Sequence, residues 1–392
     1  MTAPADRLAA MAEEAGLRRL VMVAWRDLAD PEAGGSELHA HEIARRWAAA
    51  GIDVVLRTSS VHGEPVVVER EGYRSIRRSG RYQVFATAPA DLVRGRLGEV
   101  DGLVEIWNGM PFFSPLWARL PRVTFLHHVH AEMWQMVLPP RLAALGSAIE
   151  RHLAPPLYRR SRLVTLSESS RREIVDLLGM RPEQVSVVPP GVDARYRPGG
   201  AKSTRPLVLA VGRLVPVKRF DRLVAAMAEL HRRRPEAECV IVGEGSERHR
   251  LEALRHDLGA DAYVSLPGRL SAEELLEAYR RAWVLAATSV REGWGMTVSE
   301  ASACGTPAVA SRIAGHQDSV VDGQTGFLVG SRAELVDRLG EVIEDDGLRE
   351  RLSKASLHRA ADLTWEVAAE GALEALAGEA RRMRSGWSRP RR

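Results

Sequence analysis

Leu207-Val208-Leu209-Ala210-Val211-Gly212-Arg213-Leu214-Val215-Pro216-Val217-Lys218-Arg219-Phe220 begins with five apolar residues, turns at a glycine, carries cations through a short loop and ends at the start of a periodic segment. An uninterrupted aliphatic run of this length predicts a strand covered on both faces. Phe220, Leu223, Val224, Met227 and Leu230 then recur at offsets of three and four, one apolar stripe of an amphipathic helix over Phe220 to Arg234. Strand, loop and helix in that order form a βα unit, and serial βα units build a parallel sheet.

The same grammar extends both ways. Downstream, Cys239 to Val242, Tyr263 to Leu266, Trp283 to Ala287, Ala308 to Ala310 and Gly326 to Val329 read as strands separated by helical sequence. Upstream, Leu20 to Trp25, Ile52 to Leu56, Leu103 to Ile106, Val123 to Leu126, Leu163 to Leu166 and Val185 to Val188 do so, and a glycine loop at Gly34-Gly35 precedes a helical stretch from Ser36 to Ala50. Pro189-Pro190-Gly191-Val192-Asp193 and the following Pro198-Gly199 interrupt the pattern as a linker. The expected architecture is α/β, with two doubly wound parallel-sheet domains, 1–193 and 194–364. Open sheets of this kind bind ligands beyond the carboxyl ends of their strands, so the motifs are expected in loops after strands, facing a cleft.

Composition narrows the class. Of 392 residues, 45% are apolar and 27% charged, which excludes collagenous and wholly disordered chains. Cys239 and Cys304 lie in apolar runs and offer neither a disulfide framework nor a metal-ligand spacing, which fits a cytoplasmic protein. No apolar run approaches the ~18 to 20 residues of a membrane span, and the Ala-rich N-terminal segment with Asp6, Glu13 and Glu14 lacks the apolar core of a signal peptide. The net charge of +4 is local: Arg381 to Arg392 holds six arginines and no acid, leaving 49 basic against 51 acidic residues elsewhere. A nucleic-acid partner is therefore not expected. The stretch 381–392 reads as a disordered basic tail, a candidate for peripheral contact with an anionic membrane or a solvated arm without a partner. Leu142 to Arg162, with Arg151, Arg159, Arg160 and Arg162 beside leucines, is a second candidate, or else a core-facing helix with a basic outer side, interrupted at Pro155-Pro156.

Two clusters carry the chemistry. Gly212, Arg213 and Lys218 stand in a loop at a helix start, where cations and the helix N-terminus together suit a diphosphate; the alternative is a pair of solvated surface cations. Arg291-Glu292-Gly293-Trp294-Gly295-Met296-Thr297-Val298-Ser299-Glu300 places Glu292 in a tight turn and Glu300 in the following helix. The amides of Met296, Thr297 and Val298 are expected as free donors for phosphate, and Glu300 as an acceptor for ribose hydroxyls. Either glutamate also fits a plain helix carboxylate, one paired with a neighbour, the other favoured by the dipole.

Taken together, Gly-Arg-Leu-x-x-x-Lys after a strand, Glu-Gly-Trp-Gly-x4-Glu-Ala, Pro189 to Asp193 and Gly34-Gly35-Ser36-Glu37 resemble the nucleotide-sugar glycosyltransferases of family 4, with the GT-B fold, over nearly the whole chain. The resemblance implies that Arg213 and Lys218 hold the donor diphosphate, that Glu292 meets the donor sugar and Glu300 its ribose, and that Gly34 and Gly35 allow close backbone approach. It implies that Gly268, Arg269 and Leu270 belong to the loop that cups the base, with Gly243-Glu244-Gly245 as the turn behind it, and that a helix of about 365–380 packs back on the first domain. Glu37, Glu105, Asn108 and His128 fall on the acceptor side, and His127, at a strand end, matches the family's functional histidine, with His128 as the runner-up. His39 and His41 read as surface or packing residues.

The implied reaction is a retaining transfer from a nucleoside-diphosphate sugar to a hydroxyl acceptor. No cofactor is implied, and no Asp-x-Asp motif is present, so no metal is expected. Gly243-Glu244-Gly245-Ser246-Glu247-Arg248 is only a partial dinucleotide fingerprint, and no Walker motif occurs. The competing readings are a phosphorylase or epimerase on the same fold and a catalytically silent nucleotide-sugar-binding protein.

Overall fold

The computed structural model describes residues 3–387. They divide into two compact units, one of Val192–Thr364 and one of Gly191 and the residues before it together with the segment from Trp365 onward.

The first unit carries β1 (Arg19–Val23), β2 (Asp53–Thr58), β3 (Val67–Arg70), β4 (Tyr73–Arg77), β5 (Gly102–Ile106), β6 (Arg122–Phe125), β7 (Arg162–Thr165) and β8 (Val185–Val187). They form one sheet in the order β3-β4-β2-β1-β5-β6-β7-β8. Neighbours are parallel except β3, which runs antiparallel to β4 at the edge. β1 and β5 are almost wholly buried, the signature of a sheet covered on both faces. β3 and β4 escape the sequence reading because their inward residues include Ser75 and Arg77, which are polar and buried.

The second unit holds β9 (Leu207–Val211), β10 (Glu238–Val242), β11 (Val264–Gly268), β12 (Val284–Ala287), β13 (Ala308–Ser311) and β14 (Gly326–Val329). Its sheet is wholly parallel, in the order β11-β10-β9-β12-β13-β14. The helix Phe220–Arg233 buries Phe220, Leu223, Val224, Met227 and Leu230, the expected stripe, against this sheet.

The helix Trp365–Trp387 belongs to the first unit and packs on the helices Pro4–Ala15 and Gly35–Ala49. Ala368, Ala369, Ala372, Leu373, Leu376, Ala377 and Ala380 are buried at helical spacing, and the small alanines permit close approach. Trp47 Nε1 donates to Ala369 O at 3.0 Å across that contact. The expected disordered tail is corrected here in its first half: residues 381–387 continue the helix. Arg382 pairs with Glu379, and Arg384 Nη1 donates to Ala15 O at 2.6 Å, satisfying a carbonyl at the end of the helix Pro4–Ala15. Residues 388–392 lie outside the described residues. The prolines at 155 and 156 do not end the helical course either: Pro140–Ala148 is followed by a wider turn at Ile149–Leu153, and Ala154–Tyr158 resumes with Pro155 and Pro156 in its first turn, where a missing N–H costs little.

Candidate functional site

In a parallel sheet the chain reverses its winding direction at one point, and loops on either side of that point diverge to leave room for a ligand. In the second unit that point lies between β9 and β12. The loop after β9 carries Arg213 and Lys218, and the loop after β12 carries Glu292. Thr288 Oγ1 donates to Lys218 O at 2.9 Å and Val290 N to Val217 O at 2.9 Å, tying the two loops together. Residues 74 positions apart thereby meet: Lys218 Nζ donates to Glu292 Oε1 at 2.6 Å, and Ser289 Oγ donates to the same oxygen at 2.8 Å. The two side chains are 20% and 19% exposed. Burial alone would raise the Glu292 carboxyl, but Lys218, His316 and the hydrogen bonds hold it at about 2. It is a carboxylate at any working pH. Arg213 is half-buried in the same loop.

Glycines shape the wall of this region. The turn after β10 lies against the loop after β9, with Leu214 N donating to Glu244 O at 2.9 Å and Gly243 N to Gly268 O at 2.8 Å. Gly243 has φ +142°, and a Cβ there would collide with the Gly212 carbonyl oxygen. The expected segment Gly212, Gly268, Arg269 and Leu270 is thus gathered at one end of β9, β10 and β11, with Arg269 exposed and Leu270 partly packed into the core. Gly295 has φ +96°, and a Cβ on it would stand 2.8 Å from His316 Cδ2. Only glycine lets the turn Glu292–Gly295 pass the imidazole.

The helix Met296–Ala303 begins at Gly295. The expectation of three free amides needs correction: Val298 N donates to Gly295 O at 2.9 Å, closing the first turn, so that only Met296 and Thr297 remain as candidate donors at the open end. Trp294, flanked by Gly293, is buried, and its Nε1 donates to Ser299 Oγ at 2.8 Å, so its side chain holds the turn from within. Glu300 is half-buried and accepts from Tyr279 Oη at 2.6 Å; burial raises its carboxyl while that hydroxyl counteracts the rise.

His316 and Tyr279 were not singled out from the sequence. His316 is buried with Nδ1 3.1 Å from Ser311 O. A carbonyl only accepts, so Nδ1 carries the proton and Nε2 the lone pair. Burial lowers its pKa, opposed by Glu292. A glycine followed by histidine after a strand is a weak signal, because nothing local indicates which turn it will meet.

In the first unit the winding reverses between β1 and β5. Asn108, after β5, donates from Nδ2 to Ser36 Oγ at 2.8 Å and so joins the glycine loop of Gly34 and Gly35. Glu37 does not line an open face as expected. It is buried, accepts from Gly34 N at 2.8 Å in a capping box and pairs with Arg26 at 3.1 Å. Glu105 is likewise not available to an acceptor: it is fully buried and accepts from Phe112 N at 2.6 Å, Ser114 N at 3.2 Å and Tyr158 Oη at 2.5 Å. The bonds lie inside the loop after β5 and shape it. Burial raises the Glu105 carboxyl, and these donors oppose the rise.

His127 follows β6 and is buried, with Nε2 unpartnered. Burial, with His128 adding a smaller effect, lowers its pKa to about 3, so the ring is neutral. His39 is packed edge-on against it, ring centres 4.8 Å apart, and His39 and His41 are both buried, not on the surface. His128 is half-buried and stacks on His130 at 5.0 Å. The backbone of this histidine loop is held by Glu150, which accepts from His130 N at 2.7 Å, Ala131 N at 3.0 Å and Trp134 Nε1 at 3.0 Å. Glu150 was also missed, although it is the sole acid in the basic stretch 142–162.

Comparison with known proteins agrees with this division. The model of the glycosyl transferases group 1 family matches residues 193–359, and that of glycosyltransferase family 4 matches residues 33–196. The D-inositol 3-phosphate glycosyltransferase of Acidothermus cellulolyticus is 32% identical over 87% of this chain and 85% of its own length. The GDP-mannose-dependent alpha-(1-6)-phosphatidylinositol monomannoside mannosyltransferase of Mycolicibacterium smegmatis is 30% identical over 77% of this chain and 83% of its own. Among solved structures, sucrose-phosphate synthase from Thermosynechococcus elongatus superposes with a TM-score of 0.79 at 21% identity, over 95% of this chain and all of that one. Anabaena HepE in complex with UDP and glucose gives 0.72 at 19% identity, over 92% of this chain and all of that one. Among the described residues, no helix is long and apolar enough to cross a membrane.

Proposed function

Because the chain belongs to the family 4 glycosyltransferases, enzymes of GT-B fold that use nucleotide sugars, we propose that it transfers a sugar from a nucleoside diphosphate to an acceptor hydroxyl, with retention of configuration and without a metal ion. The observation that carries this reading is the ion pair of Lys218 and Glu292, a fixed cation and a fixed carboxylate at the winding reversal of the second sheet.

The chemistry follows from the charges. Breaking the bond between the anomeric carbon and the phosphate oxygen leaves negative charge on the diphosphate and positive charge on the sugar. Lys218 and Arg213, with the amides of Met296 and Thr297, stabilise the first where it builds up. Glu292, ionised, accepts hydrogen bonds from sugar hydroxyls, and Glu300 accepts from the ribose. The acceptor hydroxyl bonds to the anomeric carbon from the face the diphosphate leaves, and its proton passes to the departing phosphate oxygen. No side-chain base is then required, which agrees with His127, the histidine the family resemblance singles out, being a neutral ring that carries no charge at neutral pH.

The acceptor is inferred from the relatives, whose names share phosphorylated inositols, free or lipid-borne. Exposed Leu142, Leu145 and Leu153 beside exposed Arg141, Arg151, Arg159 and Arg160 support a lipid-borne acceptor reached at an anionic membrane. The test is a panel of UDP, GDP and ADP sugars with inositol phosphate or phosphatidylinositol vesicles, reading nucleoside diphosphate release and the anomeric configuration of the product. Acceptor-stimulated release that persists in EDTA and gives a retained anomer is expected. An inverted product, or release that requires added Mg²⁺ or Mn²⁺, would overturn the mechanism.

A further inference from the structure

Glu300 is the carboxylate assigned above to the donor ribose, and the present inference rests on that assignment. A glutamate carboxylate turns about a broad, two-fold torsion, so that a half-buried one needs something to set its plane. Here one residue does so. Tyr279, with no solvent exposure, lies on the helix Ala272–Arg281 and donates from Oη to Glu300 Oε2 at 2.6 Å. Its own place is fixed at the other end: Tyr279 O accepts from Thr306 Oγ1 at 2.6 Å, and Thr306 Oγ1 in turn takes Lys202 Nζ at 2.7 Å. The ring of Tyr196 stands edge-on to that of Tyr279, with centres 5.5 Å apart at 86°. The tyrosine therefore cannot follow Glu300 if the carboxylate swings.

We propose that Tyr279 is a positioning residue for nucleotide recognition: by occupying Glu300 Oε2 it leaves Oε1 as the oxygen presented to a ribose hydroxyl of the nucleoside diphosphate. The choice of a tyrosine has a physical reason. Burial pushes its hydroxyl well above the usual range, so it remains a neutral donor. A cation in its place would pair with Glu300 and weaken its acceptance of a hydroxyl.

The test uses the full-length protein and calorimetric titration with UDP and GDP and with their 2′-deoxy and 3′-deoxy counterparts, on wild type, Tyr279→Phe and Glu300→Gln. The wild type is expected to favour a ribonucleotide over one of its deoxy forms by about ten-fold, the worth of one hydrogen bond to a charged acceptor. Tyr279→Phe should weaken ribonucleotide binding about three- to ten-fold and leave deoxynucleotide binding within about two-fold, so that discrimination collapses. Glu300→Gln should do the same, because Tyr279 keeps the amide oxygen and turns the NH₂ toward the ribose, and the double variant should lose little more. A purely structural tyrosine would weaken both nucleotides alike.

A second readout is the acid limb of ribonucleotide binding. Burial, and to a smaller extent Asp193, raises the Glu300 carboxyl, while Tyr279 and, more weakly, Arg195 and Lys218 lower it, so removing the Tyr279 hydroxyl moves loss of binding to higher pH. Discrimination lost in Glu300→Gln yet intact in Tyr279→Phe would overturn the Tyr279 assignment alone. Equal binding of ribo- and deoxynucleotides by the wild type would overturn the ribose role of Glu300 and the Tyr279 assignment with it.

Discussion

Replacing Lys218 by methionine keeps the length of the side chain and removes its charge, so Lys218→Met isolates what the cation does. In the folded protein Nζ is 2.6 Å from Glu292 Oε1, and both side chains are about four-fifths buried. Burial works against the Glu292 carboxylate, yet the cation, His316 and two hydrogen bonds bring the group from 4.5 to about 2. A depression of that size is worth roughly 3 kcal/mol of folded-state stability at neutral pH. Ser289 and His316 supply part of it, so the variant should lose about 2 kcal/mol. Because Glu292 is more acidic folded than unfolded, its contribution is complete above pH 4.5 and disappears as pH falls toward 2. Urea unfolding of wild type and variant from pH 7 down to pH 3 should therefore show a deficit that narrows below the ordinary glutamate range. Turnover, followed as nucleoside diphosphate release at saturating donor, should fall about 10²- to 10³-fold, the usual loss when one donor to a developing oxyanion is removed. A deficit that stays constant over the whole pH range would refute the ion-pair reasoning. A folded variant that turns over within about ten-fold of wild type would refute the catalytic role.

Three further outcomes follow. His127→Phe retains the packing against His39 and Phe125 but removes the unpartnered Nε2, and should lower turnover by about 10²-fold; since burial holds His127 at about 3, the wild-type rate profile should show no inflection from it near neutrality, and one that vanishes in the variant would contradict its burial. Glu105→Gln keeps the size of a group that anchors Phe112, Ser114 and Tyr158, and should cost about 1–3 kcal/mol in urea unfolding while leaving donor binding to the second unit unchanged. Weakened donor binding with unchanged stability would reverse that assignment. Gly243→Ala places a methyl against the Gly212 carbonyl at a positive φ, and should destabilise by at least about 2 kcal/mol and weaken nucleotide binding; a neutral substitution would show that the turn after β10 does not pack on the loop after β9.

The buried carboxylates separate what was legible from what was not. Glu37, Glu105 and Glu150 each sit near a strand end or loop that the sequence marks as functional, and each proves to be an internal anchor for backbone amides. Nothing in their local sequence distinguishes an anchor from a ligand-binding acid, since both need a carboxylate near exposed amides. Glu292 and Glu300 carry the same ambiguity in sequence, and their partners, Lys218 and Tyr279, lie elsewhere in the chain.

The sequence by itself determined the two α/β units, most of their strands and the loops that follow them, because strand and helix periodicity and glycine and proline breaks are properties of neighbouring residues. It missed the edge pair β3 and β4, whose inward face is polar, and the helical course of residues 381–387, which depends on Glu379 and the end of the first helix. The tertiary structure alone decided which carboxylates are consumed in the interior, that Lys218 meets Glu292, that His316 stands behind their turn and that Tyr279 holds Glu300. Each of these depends on burial and on partners brought through space by the sheet order, and neither is encoded in the distance along the chain.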